Sequence, residues 1–309
     1  METMLAVASI VAPVFALVAL GAGGRVWRVV DVAGVRALND VTFYLLIPAL
    51  LFGAVAHASV GEGLDVAATY FTGCLVVFVA GVAGARRLLG APLAQASVIG
   101  LNCSYGNTVM LGVPIVSAAF GANGVAVLLP VIALHSVVLL PLATVLIEAG
   151  AGVGHPVRRV LRTLPALLRN PVIAAILLAV LWRLTGVPLP GPADRLLAML
   201  AAAAPAIALL TLGASLPDVA TQGSVRETGL AVAGKLVALP LLVWALSRLV
   251  GLPPTPTAVA VVTAALPTGA NAFFLARRTG LLASASAGTV VASTLLSVGT
   301  LSVALALLR

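Results

Sequence analysis

Charge is what this sequence has least of: Asp, Glu, Lys and Arg together make up 8% of its 309 residues. A water-soluble domain carries about a quarter of its residues charged, so a globule of this size could not be coated by so few. With 61% of the chain hydrophobic, the composition specifies a polytopic membrane protein. Other absences narrow the chemistry. There is no Asp-rich metal motif, no His/Glu pair at zinc spacing and no Gly-x-Ser-x-Gly, and the serines have no convincing basic partner. No enzyme, cofactor or metal is expected. The two cysteines, Cys74 and Cys103, each lie in an apolar run, as small buried hydrophobes do. No Asp or Glu falls at mid-membrane, which argues against a cation antiporter built on buried carboxylates. Asp40 and Glu148 read as interfacial.

The net charge of +8 does not point to nucleic acid, because the basic residues are not gathered on one face. They fall in the short gaps between apolar runs, the pattern that sets membrane orientation. A span needs ~20 apolar residues, and ten candidates are expected near 4–24, 35–57, 66–89, 93–119, 122–148, 171–186, 193–216, 226–250, 256–277 and 283–308. The first has an acid before it and arginines after it, the reverse of a secretory signal, so it reads as a true span with its N-terminus outside. On that topology Arg25, Arg28, Arg36, Arg86, Arg87, Arg158, Arg159, Arg162, Arg169, Arg226, Arg277 and Arg278 lie inside. Arg183, Arg195, Arg248 and Arg309 lie outside with the C-terminus, and Lys235 alone sits within a span. The bias supports both termini outside.

The largest basic cluster, "GHPVRRVLRTLPALLRNP", separates spans five and six. It reads as a cytoplasmic hinge resting on anionic lipid. It divides the chain into a five-span repeat (1–149), a linker (150–170) and a second five-span repeat (171–309). An odd number of spans inverts the second repeat relative to the first, as in many secondary transporters, so corresponding spans should both be interrupted.

Both fourth spans are. The first carries "LNCSYGNTVMLGVPI", where Gly106 and Asn107 break the helix and Asn caps a new one. The second carries "VTAALPTGANAFFLARR", where Pro267 removes a backbone donor and Gly269 loosens the chain. Such breaks are tolerated in lipid only where they line a cavity or are buried in protein. Each second half-helix offers unpaired N–H groups and a positive dipole end, so two of them meeting make an anion site. Lys235 could neutralise a carboxylate, replace a coupling cation or lose its proton, or else bond the carbonyls of a broken helix. His135, also mid-span, is either a proton carrier or a hydrogen-bonded neutral side chain.

At these motifs the chain resembles the auxin efflux carrier family and the bacterial organic-acid permeases grouped with it. The similarity rests on "NTVMLGVPIVSAAFG" from Asn107 to Gly121, "ALPTG" from Ala265 to Gly269, the Asn39-to-Pro48 spacing and the Lys235-to-Pro240 spacing. It implies an all-α fold of ten helices in two inverted five-helix repeats with two broken crossover helices, like the bile-acid symporters and sodium/proton antiporters. Spans 1, 2, 6 and 7 would form a scaffold and spans 3–5 and 8–10 an elevator-like transport domain. It further implies a homodimer in the bacterial cytoplasmic (inner) membrane that exports small organic anions, auxin-like or dicarboxylate. Asn107 would bond the substrate carboxylate, with Gly106, Thr108, Pro267, Thr268, Gly269 and Asn271 around it. Lys235 and His135 would serve charge or coupling, and Gly112, Pro114, Pro48 and Pro240 would be crossover and hinge positions. The competing expectations are a sodium- or proton-coupled importer and a non-transporting membrane receptor.

Overall fold

The computed structural model describes residues 2–57, 63–151, 171–216 and 224–308. Most of the linker expected at 150–170 lies outside these residues. A peptide group in hydrocarbon must find its partner within its own segment, which favours helices, and the described residues form no strand. Their elements are α1 (Glu2–Val26), α2 (Val32–Val41), α3 (Ile47–His57), α4 (Leu64–Leu88), α5 (Leu93–Ser104), α6 (Val113–Ala151) and α7 (Pro171–Leu184). There follow α8 (Gly191–Ser215), α9 (Val225–Ala233), α10 (Leu239–Leu249), α11 (Pro254–Ala264), α12 (Ala270–Thr279) and α13 (Ala283–Leu308). The one extended pairing among them is an isolated antiparallel bridge between Gly106 and Thr268.

Among the described residues, seven helical stretches are long and apolar enough to cross a membrane: Val7–Val26, Val32–His57, Leu64–Leu88, Thr108–Gly150, Gly191–Ser215, Val225–Leu249 and Ala283–Leu308. Pro171–Leu184 is apolar but shorter. The Thr108–Gly150 stretch has 43 residues, about 65 Å of helix at the usual rise against a hydrocarbon core of about 30 Å. It does not run straight. Gly121 adopts φ 64° and ψ −157°, and the chain doubles back until Gly150 packs on the backbone of Ala94.

Among the described residues, three five-residue π-helical turns interrupt the helices, at Thr42–Leu46, Thr108–Gly112 and Gly234–Ala238. Each is closed by the N–H of the next residue: Ile47 onto the Thr42 carbonyl, Val113 onto Thr108 and Leu239 onto Gly234. Each is followed one residue later by a proline: Pro48, Pro114 or Pro240. A proline ring clashes with the carbonyl four residues back and supplies no N–H. Widening the preceding turn relieves the clash while keeping a backbone bond.

Two sets of helices pack mainly among themselves. In one, α1 lies along α8, and α3 packs on both α7 and α8. In the other, α4 packs on α5, α10 and α11, α6 on α5 and α11, and α13 on α9, α11 and α12. The α1–α8 contact is close because Gly213 faces α1: a Cβ there would lie 1.9 Å from the Val18 carbonyl oxygen. Gly213→Ala must push the two helices apart, at about 1–3 kcal/mol for overpacking. The expected result is a lower unfolding midpoint for the purified protein in detergent, and an unchanged midpoint would contradict this packing.

Candidate functional site

The site is built where two helices stop. α5 ends at Ser104 and Tyr105 turns extended, with Asn107 (φ −80°, ψ 64°) starting the next helix. α11 ends at Ala264, and Gly269 (φ −79°, ψ 146°) precedes α12. The two breaks cross and complete each other's hydrogen bonding. The Asn107 N–H donates to the Pro267 carbonyl at 2.8 Å, and the Gly269 N–H donates to the Tyr105 carbonyl at 3.0 Å. Gly269 has no room for a side chain, since a Cβ would fall 2.8 Å from the Gly106 carbonyl oxygen and 3.0 Å from the Tyr105 ring.

Buried polar groups support the crossing from behind. The Thr268 N–H donates to Ser293 Oγ (3.0 Å), and Thr268 Oγ1 donates to the Asn102 carbonyl (2.9 Å). Asn102 Oδ1 in turn accepts from Ser286 Oγ at 2.9 Å. The Gly106 N–H donates to His135 Nε2 at 3.0 Å, so the neutral ring carries its proton on Nδ1. Lys235, 0% exposed, donates from Nζ to the Ala264 carbonyl at 2.6 Å. That carbonyl belongs to the last residue of α11, one of those a helix end leaves unbonded and at the negative end of its dipole. Lys235 also reaches the other break: a Cβ on Gly106 would lie 3.4 Å from its Nζ.

In front of the crossing is a cavity of about 340 Å³. Its floor is the first turn of each second half-helix, Asn107 to Met110 and Gly269 to Asn271, with Gly106, Tyr105 and His135 beside them. Asn39, Asp40, Phe43 and Tyr44 from the α2 region and Val172 and Ile173 from α7 form the opposite wall. Asn107 Oδ1 accepts from the Met110 N–H at 3.2 Å as an N-cap, which leaves its amide NH₂ as the group available to a ligand. The Asn271 amide donates to the Tyr105 hydroxyl at 2.9 Å. The first-turn N–H groups and the two dipole ends suit an anion.

The residues singled out in the sequence fall into groups here. Gly106, Asn107, Thr108, Gly269, Asn271 and His135 line the cavity, while Thr268 turns back into the polar cluster. Pro267 serves through its carbonyl. Gly112 packs against Leu266, where a Cβ would meet the leucine side chain at 2.7 Å. Lys235 lies behind the crossing. Pro48 and Pro114 follow their π-turns, and Pro240 lines a separate apolar groove of about 840 Å³ with Trp244. Tyr105, Phe274 and the Asn102–Ser286 pair carried no signal in the sequence, and Asp40, expected at the interface, reaches the cavity wall.

The family model described as "Membrane transport protein", an auxin efflux carrier-type transport family, matches residues 6–305. The chain belongs to this family. It is also 28% identical over 312 residues, covering 99% of this chain and 97% of the relative, to a protein of Rhizobium meliloti (strain 1021) named "Putative malonate transporter". Membership makes the protein a multi-pass membrane transporter and not an enzyme. The features above are therefore those of a transport protein.

Two substitutions test the crossing itself. Gly269→Ala should separate the breaks and abolish transport while the protein still inserts, read as flux beside surface abundance; full flux would contradict the geometry. His135→Leu leaves the Gly106 N–H buried without an acceptor, at about 1–3 kcal/mol. His135→Gln, which can still accept, should lose less in denaturant unfolding, and equal losses would count against the bond.

Proposed function

We propose that the protein is a secondary carrier of small organic anions, binding a substrate carboxylate where the two half-helix N-termini meet. The observation that carries this reading is the cavity of about 340 Å³ whose floor is formed by the first turns of both second half-helices. The relative named as a malonate transporter supports a small carboxylate as substrate.

In this reading ten crossings form two inverted repeats, 1–149 and 171–309, joined by the basic linker at 150–170. Spans 1, 2, 6 and 7 are the scaffold, and spans 3–5 and 8–10 are the transport domain. The two helix groups described above support that division, and so does the cavity, with one wall from each group. The transport domain slides as an elevator, carrying the crossover and its anion past the scaffold wall of α2 and α7. The cavity lies beside the start of α7, an inner end of a span by the charge bias of the sequence, so it faces the cytoplasm. Loading from that side gives export. The protein works as a homodimer in the cytoplasmic membrane, with both termini outside.

Asn107 is the group that binds and orients the substrate, through its free amide NH₂. Proton coupling is the second reading. His135 favours it, because this ring lines the cavity and its Nδ1 has no hydrogen-bond partner among the described residues. Flux of labelled malonate from proteoliposomes under an imposed voltage, with and without a pH or sodium gradient, separates the two. Asn107→Ala should raise the half-saturating concentration about tenfold or more, from ~1.5–3 kcal/mol for a hydrogen bond to a charged group. Equal transport by wild type and Asn107→Ala would sink the site, and flux only with a gradient would establish coupling.

A further inference from the structure

The cavity has an unusual charge balance for an anion site. Among the described residues its lining contains no Lys or Arg, and it does contain one carboxylate, Asp40. His135 accepts the Gly106 N–H on Nε2 and is neutral in that bond. Lys235 is spent behind the crossing on the Ala264 carbonyl. Arg36, one turn before Asp40 on α2, does not line the cavity, and among the described residues no Lys or Arg pairs with Asp40. The attraction for an anion therefore comes from the two helix ends, each equivalent to roughly half a positive charge. Together they offset about one negative charge, and Lys235 adds its field only from behind the crossing.

We infer that Asp40 makes this site selective for singly charged carboxylates, so that a dicarboxylate such as malonate is taken as its monoanion. The ionised end would meet the crossover, and the remaining carboxylic acid would donate a hydrogen bond to the Asp40 carboxylate, a strong charge-assisted pairing. A doubly charged ligand would put its second charge against Asp40, a repulsion sufficient for about tenfold discrimination. This inference rests on the anion-carrier reading. It adds to it which protonation state is carried, and it gives α2 a part in specificity.

The test compares half-saturating concentrations for malonate and monomethyl malonate in proteoliposomes, at one pH below and one above the second ionisation of malonate. Monomethyl malonate keeps one charge throughout and corrects for effects of pH on the protein. For the wild type, the malonate value relative to monomethyl malonate should rise about tenfold at the higher pH, the size of the repulsion estimated above. In Asp40→Asn the rise should shrink to about twofold or less, as that repulsion is removed. If Asp40→Asn is too slow for flux, the ligand-induced shift of its unfolding midpoint reads the same ratio. A ratio equally steep in wild type and variant overturns the inference, as does a wild type indifferent to the charge of malonate. A wild type that carries neither compound defeats the anion-carrier reading itself.

Discussion

A helix that stops inside hydrocarbon leaves peptide groups with nothing to bond, and each such group costs several kcal/mol. This chain stops two helices within its buried interior, at Tyr105–Asn107 and at Ala265–Gly269, and the structure is arranged so that each break answers the other. The Asn107 N–H meets the Pro267 carbonyl and the Gly269 N–H meets the Tyr105 carbonyl. The rest of the interior follows from keeping that crossing closed. Gly269 is bare because any side chain would wedge the strands apart. His135 takes the Gly106 N–H, and Lys235 takes the leftover carbonyl of Ala264. A buried lysine is expensive, but here its ammonium group sits at the negative end of α11, where a cation is favoured.

The same geometry decides what the cavity can hold. Half-helix ends offer N–H donors and a partial positive charge without a mobile cation, and among the described residues no Lys or Arg lines the cavity. A transporter has to release what it binds. A site made of dipole ends and one amide NH₂ attracts a carboxylate more gently than a buried guanidinium, whose bidentate pairing is among the stronger interactions available. Lys235 lends its field from behind the crossing without touching the ligand.

Much of this was legible in the sequence because lipid imposes simple rules. Runs of about 20 apolar residues mark helices, and Gly106, Asn107, Pro267 and Gly269 stand out in such runs as helix breakers at matching places in the two halves. What was not legible depends on contacts between distant segments. The sequence offers Lys235 as a partner for the carbonyls of a broken helix, but nothing local tells that the carbonyl is that of Ala264, 29 residues on. Asp40 looks like any charged residue near a span end, and only the packing of α2 on α8 brings it to the cavity. The π-turns before Pro48, Pro114 and Pro240 are a related case. The prolines foretell a disturbed helix, but whether it kinks or widens by one residue is settled by neighbouring packing. Pro240, expected at a crossover or hinge position, follows its π-turn and lines a separate groove with Trp244.

The central claim is that substrate rests against the first turns of the two second half-helices. A cryo-electron microscopy structure of the protein with malonate tests it most directly. The account predicts density in the cavity in front of the crossing, with one carboxylate against the Asn107 amide and the N–H groups that begin the 108–120 helix and α12. Malonate bound elsewhere, with this cavity holding only solvent, would contradict it.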